Sequence, residues 1–66
     1  MTTEELVEYM REHGSSLIMN WGEDTAVWEV AWITSGVRFC GFSKDLRRAL
    51  YEAHSVAIGG LGRIPV

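Results

Sequence analysis

The chain has 66 residues, of which 47% are hydrophobic and 23% are charged, and its formal net charge is −3. This length allows one compact domain with a small core, and abundant apolar residues at low net charge exclude an intrinsically disordered chain. The single cysteine, Cys40, cannot form an internal disulfide. Together with His13 and His54 it does not give the spacing of a zinc site, so we expect no metal and no cofactor.

The beginning of the sequence lacks the pattern of a targeting segment. Thr2, Thr3, Glu4 and Glu5 stand where a signal peptide has a basic stretch and an apolar core. No apolar run approaches the roughly 20 residues of a membrane span. We therefore expect no membrane partner and a location in the cytoplasm.

Charge is distributed unevenly along the chain. Residues 1–33 contain seven acidic residues and one basic residue, a net charge of −6. Residues 34–66 contain five basic and two acidic residues, a net charge of +3. Such asymmetry is typical of a surface that meets nucleic acid or a charged protein, although solvated helix surfaces also carry charges of either sign.

The first element is predicted to be a helix over residues 3–13. Thr2 and Glu5 have the spacing of a capping box, in which each side chain binds the backbone N–H of the other residue. A stripe that faces the core follows at helical spacing: Leu6, Tyr9, Met10 and His13. Gly14 is predicted to end the helix in the left-handed conformation.

Alternation with a period of two predicts three β-strands after this helix. The pattern covers residues 16–21, 26–33 and 37–42, which are rich in β-branched and aromatic side chains. Residues 22–25 and the pair Ser35-Gly36 have the composition of turns. The strands are therefore expected to form two hairpins and an antiparallel meander.

The two turns predict the register of the sheet. A first turn centred between Glu23 and Asp24 gives the pairs Met19 with Trp28 and Leu17 with Val30. A second turn centred on Ser35-Gly36 gives the pairs Trp32 with Phe39 and Val30 with Gly41. Cross-strand partners share a face, so the predicted core face carries eight uncharged side chains: Leu17, Met19, Trp21, Trp28, Val30, Trp32, Val37 and Phe39. Gly41 is predicted to leave room beside the indoles.

The last predicted element is a helix capped by Ser43. Its buried stripe is predicted from spacings of three and four: Leu46, Ala49, Leu50, Ala53, Val56 and Ala57. Its outer surface is predicted to carry Lys44, Arg47, Arg48 and Glu52. Three glycines within residues 59–62 divide the chain into a single domain over 1–58 and a Gly-rich tail over 59–66. This tail is either a mobile terminus or a segment that orders on a partner.

The predicted fold is α+β, a two-layer α-β-β-β-α sandwich in which two helices cover one face of a three-stranded antiparallel meander. The second face of the sheet then stays uncovered, although an exposed antiparallel face is ordinarily polar. The residues predicted to contact a partner there are Ile18, Val27, Glu29, Ile33, Arg38 and Phe42. The simplest such contact is a homodimer joined sheet to sheet or through an edge strand.

The titratable side chains do not predict catalysis. His13 lies at a helix end, where the helix dipole favours a cation, and His54 adjoins the buried stripe of the last helix. Cys40 lies in a strand without an assigned histidine neighbour, so it is interpreted as a small apolar residue. Nucleotide-binding, hydrolase and metalloprotease motifs do not occur in the sequence, and we expect that the protein is not an enzyme.

A basic patch is predicted where the last helix begins, formed by Arg38, Lys44, Arg47 and Arg48. With Gly41 and Ser43, this segment resembles the G-x-S-K-K-x-A-K helix start of the double-stranded-RNA-binding family, which shares the α-β-β-β-α order. The resemblance implies that Lys44 and either Arg47 or Arg48 meet phosphates. Asp45 stands where the family has a key lysine, and the first helix is acidic where the family contacts the minor groove.

The hairpin followed by an alanine-rich helix is also similar to HicB-type antitoxins, whose partial version of this fold binds a small toxin protein. The composition further resembles small acidic accessory proteins of phages, including inhibitors of host defence. The sequence therefore predicts a non-enzymatic, dimeric binding protein that docks on a macromolecular partner, as an antitoxin or a phage-encoded inhibitor. The alternative is an RNA- or DNA-binding module that uses the basic patch.

Overall fold

The computed structural model describes residues 2–62, with side chains through residue 58. It confirms an α+β fold with the predicted α-β-β-β-α order. The elements are α1 (Thr3–Glu12), β1 (Ser16–Gly22), β2 (Val27–Thr34), β3 (Val37–Ser43) and α2 (Leu46–Gly62). The backbone of α2 continues four residues beyond the predicted domain boundary at residue 58, and residues 63–66 of the predicted tail lie outside the described residues.

Helix α1 begins with the predicted capping box and ends one residue earlier than predicted. The Thr2 N–H donates to Glu5 Oε1 at 2.8 Å, and the Glu5 N–H donates to Thr2 Oγ1 at 3.2 Å. His13 is the C-cap, with φ −100°, and Gly14 does not adopt the predicted left-handed conformation. Glycine is required there for a different reason, because a Cβ at Gly14 would lie 2.7 Å from the Ile33 carbonyl oxygen and collide with the Trp32 ring.

The sheet has the order β1-β2-β3 and is antiparallel throughout. The predicted register of the first hairpin is wrong by two residues: Met19 pairs with Val30, and Leu17 pairs with Trp32. The cause is Ala26, which lies in the loop at φ 55° and whose N–H donates to the Gly22 carbonyl oxygen at 2.7 Å. The loop therefore spans residues 23–26. Because the shift is even, every side chain stays on its predicted face.

The predicted register of the second hairpin is confirmed. Trp32 pairs with Phe39 and Val30 pairs with Gly41. Ser35 and Gly36 have φ values of 53° and 74°, the signature of the turn whose twist matches that of the flanking strands.

The core lies between the two helices and one face of the sheet. Its buried members are Leu6, Met10, Val30, Trp32, Ala49, Leu50, Ala53 and Ala57. Four residues predicted for the core are exposed instead, namely His13, Trp21, Val37 and Val56. His13 is the C-cap of α1. Trp21 and Val37 lie beside the turns at opposite ends of the sheet, and Val56 lies beside the i, i+4 stripe by which α2 contacts the sheet.

Helix α2 packs very closely on β3 at Gly41. A Cβ at Gly41 would collide with the Ala49 carbonyl and lie 2.7 Å from the Ala53 nitrogen. The predicted reason for this glycine, room beside the indoles, is therefore wrong, because the neighbour is helix backbone. Alanines on the facing turns of α2 allow that approach, and both are fully buried.

Candidate binding surfaces

The face of the sheet turned away from both helices, here called the open face, is built from three cross-strand rows. The rows are Ser16–Ile33–Arg38, Ile18–Ala31–Cys40 and Asn20–Glu29–Phe42, with Val27 beyond the last row in β2. All six residues predicted to contact a partner lie on this face, because period-two alternation sends alternate side chains of each strand to opposite sides.

The open face has large apolar side chains on its edge strands and a depression at its centre. Ile18 is 42% exposed and Phe42 is 53% exposed, whereas Val27 and Ile33 are half-buried. Ala31 is buried even without a covering layer. The small side chains of the middle row leave a depression of about 210 Å³ whose lining includes Ile18, Glu29, Ala31, Arg38, Cys40 and Phe42.

Two opposite charges stand in different rows of this face. Arg38 belongs to the row beside the Ser35-Gly36 turn, and Glu29 belongs to the row nearer the other hairpin loop. These rows are four residues apart along a strand, a separation of about 13 Å. Neither side chain forms a hydrogen bond or an ion pair with another described residue.

The start of α2 is organised by Asp45 and not by the predicted cap, Ser43. The Arg47 N–H donates to Asp45 Oδ1 at 3.2 Å, and the Ala49 N–H donates to the Asp45 carbonyl oxygen at 3.0 Å. Ser43 is the last residue of β3, and its Oγ accepts from the Asp45 N–H at 3.3 Å. Helix α2 begins at Leu46, so Asp45 occupies the cap position and Ser43 lies two residues before it.

The residues of the predicted basic patch lie in two separate parts of the structure. Lys44, Arg47 and Arg48 are exposed around the start of α2, whereas Arg38 lies near the other end of β3, about 20 Å away along the strand. Arg47 and Arg48 line a shallow hollow of about 430 Å³ together with Asp45 and the exposed ring of Tyr51. A carboxylate thus stands among the cations.

The histidines take part in an aromatic cluster that joins the helices to the sheet. The His13 ring stacks on Tyr9 with centroids 4.1 Å apart, and its Nδ1 lies 2.8 Å from the Tyr9 carbonyl oxygen. His54 stacks on Trp32 at 5.7 Å. The Trp32 Nε1–H donates to the Met10 carbonyl oxygen at 2.6 Å, a buried bond between residues 22 positions apart. These contacts satisfy a helix end, which is a structural role.

A groove between α1 and the sheet is a surface that was not predicted from the sequence. It encloses about 430 Å³ and is lined by Thr3, Glu4, Val7, Glu8, Arg11, Met19 and Leu46. Val7 was not part of the predicted helical stripe, and only its position between two stripe residues signals that it reaches the groove. The floor is apolar and the rim is charged.

Within residues 2–62, no group of three or more His, Cys, Asp or Glu side chains is placed to hold a metal ion. No helix in that part of the chain is long and apolar enough to cross a membrane. The pKa of Glu5 is lowered, first by the hydrogen bond it accepts from the Thr2 backbone and then by the Thr2 side chain. That shift belongs to the helix cap and not to a reactive site.

Comparison with known proteins gives no relative, because no family model, no curated protein and no solved structure matches the chain. What the structure shares with the double-stranded-RNA-binding-like fold is the α-β-β-β-α order and the open antiparallel sheet. That similarity concerns the fold alone.

Proposed function

We propose that this chain is a non-enzymatic binding protein that forms a homodimer through the open face and, as a dimer, docks on a macromolecular partner. Antitoxin-like neutralisation of a toxin and inhibition of a host protein by a phage protein both operate by such docking. The observation that carries the proposal is the exposure of Ile18 and Phe42 on a sheet face that no helix covers.

The open face is unusually apolar for a sheet face that no helix covers. An exposed antiparallel face ordinarily carries polar side chains, yet here both edge strands present large apolar groups. Burying the exposed half of an Ile or Phe side chain stabilises an association by about 1 kcal/mol. Two such residues per subunit, with Val27 and Ile33 beside them, give a gain that favours association once its entropy cost is met.

Charge supplies the second requirement, which is orientation on the partner. Helix α1 exposes Glu4, Glu5, Glu8 and Glu12 against Arg11, and the start of α2 exposes Lys44, Arg47 and Arg48. Complementary potentials speed encounter and suppress wrong partners more than they add affinity. A dimer that covers the open face leaves both of these surfaces free for the docking step.

Sedimentation equilibrium over a range of concentrations tests the association. We expect the native chain to dimerise and Ile18→Glu to sediment as a monomer, because the substitution places a carboxylate in the buried interface. Tyr51→Glu is the matched control: Tyr51 is 61% exposed, but on α2, so its replacement should leave the association unchanged. A native chain that stays monomeric at the highest concentration contradicts the proposal.

Docking is tested by capture from the native host with nuclease-treated and untreated extracts, followed by mass spectrometry. A protein captured equally in both by the native chain, but not by the monomeric Ile18→Glu variant, supports docking of the dimer on a protein. Capture that disappears with nuclease argues for nucleic acid instead.

A nucleic-acid-binding role is the second candidate, supported by the hollow in which Arg47 and Arg48 flank the Tyr51 ring. Asp45 within that hollow and the acidic surface of α1 both oppose phosphate. Titration of a labelled RNA duplex with salt separates the two candidates. Phosphate binding weakens linearly with the logarithm of salt concentration and is lost in the Arg47→Glu, Arg48→Glu double variant, whereas an apolar interface is insensitive to both changes.

A further inference from the structure

We propose that a second copy of the chain covers the open face about a two-fold axis that runs across the strands through the row Ile18–Ala31–Cys40. This inference rests on the proposed dimer and adds its geometry. In that arrangement Arg38 of each copy lies over Phe42 and beside Glu29 of the other copy.

Symmetry limits the arrangements that a face-to-face dimer can adopt. A closed homodimer uses the same patch on both copies, and two stacked sheets keep their strands within about 30° of alignment. A two-fold axis in the plane between the sheets then runs either across the strands or along them. Both choices bring the middle of β2 onto the middle of the other β2, so the residues around it must distinguish them.

Charge makes the distinction. An axis along the strands keeps each row opposite itself, so Glu29 faces the second Glu29 near the centre of a desolvated interface. An axis across the strands exchanges the outer rows, and Arg38 then stands one strand away from the other copy's Glu29, about 5 Å in the plane of the sheet. Like charges directly opposed are unfavourable and a paired carboxylate is favourable. The axis across the strands is therefore the one that the open face fits.

Several other residues of the face also suit this axis. Arg38 also meets the face of the Phe42 ring, a contact that a guanidinium favours. The middle row lies on the axis and meets its own copy, and its two inner members, Ala31 and Cys40, are small where the open face is depressed. Asn20 meets Ser16 of the other copy, and these side chains offer matching donors and acceptors.

The size of the face sets the strength of the dimer. Three strands about 4.8 Å apart and about seven residues long give a contact of about 14 by 23 Å. This footprint is small beside the roughly 800 Å² per partner of a standard stable interface. The dimer is consequently expected to dissociate on dilution, so its dissociation constant is measurable for every variant.

A charge exchange tests the pairing. Glu29→Arg and Arg38→Glu each place like charges together twice, and we expect each to weaken dimerisation at least about tenfold, roughly 1.4 kcal/mol. The double variant restores opposite charges and should return to within about threefold of the native value. Within one chain these residues are two rows apart, so rescue reports a contact between copies. Glu23→Arg and Lys44→Glu, which change the net charge equally at exposed positions away from the open face, are the matched controls.

Thiol cross-linking tests the axis. With the axis across the strands, the two Cys40 side chains face each other over the spacing of two sheets, about 10 Å, which a short bismaleimide spans and a disulfide does not. The comparison variant, Ile33→Cys with Cys40→Ser, places its thiols together only if the axis runs along the strands. Ile18→Glu controls for random collision, and circular dichroism confirms that each variant is folded.

The outcomes separate the geometry from the function. Cross-linking through Cys40 together with rescue by the double charge variant supports the proposed axis. Dimerisation that Ile18→Glu abolishes, with cross-linking through residue 33 or without charge rescue, overturns the axis and leaves the proposed dimer standing. Absence of dimerisation in the native chain overturns both.

Discussion

The two faces of the sheet differ in the burial of their apolar side chains, although the same three strands form both. On the helix side, Val30 and Trp32 are buried, and the α2 alanines lie so close to β3 that Gly41 has no room for a side chain. On the open face, Ile18 and Phe42 remain exposed although they are as apolar as the core. Burial is therefore decided by where the helices lie and not by the hydrophobicity of each strand position.

The difference in burial separates the apolar residues that the fold of a single chain needs from those that it does not need. The helix side joins both helices and all three strands in one cluster, and Trp32 fastens α1 through its bond to the Met10 carbonyl. The apolar residues at the edges of the open face do not contribute to that cluster. They are surplus to the fold of one chain, and the proposed covering partner would account for them.

Truncating one large side chain on each face should give the largest difference in stability between the two faces. Leu50 is fully buried, and we expect Leu50→Ala to lower the free energy of unfolding by about 2–5 kcal/mol through lost burial and a cavity. Phe42→Ala, a larger truncation on the open face, should change the stability of the monomer by less than about 0.5 kcal/mol. Urea unfolding at a concentration below dimerisation measures both.

Equal losses for these two variants would mean that the open face is part of the monomer core. The slope of the unfolding free energy against urea concentration should be unchanged in Phe42→Ala, because the surface exposed on unfolding is nearly the same. For a domain of this size Leu50→Ala removes a large share of the total stability, so thermal unfolding followed by circular dichroism is the supporting measurement.

Substitution by alanine at two neighbouring β3 residues gives the next largest difference in stability. Gly41→Ala should destabilise by about 1–3 kcal/mol, because the new Cβ meets the α2 backbone and not a flexible side chain. Cys40→Ala, one residue earlier and on the open face, should be neutral within about 0.5 kcal/mol. Thermal unfolding of both variants checks this, and a tolerated Gly41→Ala would show that α2 can move away from β3 at little cost.

The cap of α1 should contribute a smaller amount, because it fastens one end of a helix that packing also holds. Thr2→Ala removes the oxygen that accepts from the Glu5 N–H and should cost about 1 kcal/mol. Thr3→Ala, one residue into the helix, is the matched control. The melting temperatures of the two variants give the comparison.

The same cap makes stability depend on pH in the acid range. Because the folded chain lowers the pKa of Glu5, this carboxylate stabilises the fold above its ordinary pKa, and the contribution is lost as pH falls through the lowered value. Glu5→Gln keeps a hydrogen-bond acceptor but cannot titrate, so that part of the pH dependence should disappear. Glu4→Gln removes the same charge from the same turn outside the cap and should retain it.

Local patterns predicted much of this fold. Alternation placed each strand residue on its correct face, the Thr2 and Glu5 spacing identified the cap of α1, and the Ser35-Gly36 pair gave the correct register of the second hairpin. These features depend on neighbours within a few residues. The set of residues on the open face follows from alternation alone, whereas their role as a contact surface stays a prediction.

Features that depend on distant residues could not be predicted in the same way. The reason for Gly41 is the position of α2, and Ser43 does not cap that helix because the helix begins only at Leu46. The bond from Trp32 to the Met10 carbonyl has no sequence signal at all. The register of the first hairpin was missed for a local reason, because its loop ends in an alanine at positive φ, where glycine or asparagine would have marked the turn.

That alanine provides the smallest and most specific prediction. Ala26 at φ 55° costs about 1 kcal/mol in left-handed strain that glycine avoids, while glycine adds a smaller entropy to the unfolded chain. Ala26→Gly should therefore stabilise the protein by about 0.5 kcal/mol. The same chemical change at Ala31, in the middle of β2, should destabilise it by about 0.5–1 kcal/mol, because the strand already suits alanine. Opposite signs in thermal unfolding would show that Ala26 is strained in the loop whereas Ala31 suits its strand, and equal signs would contradict it.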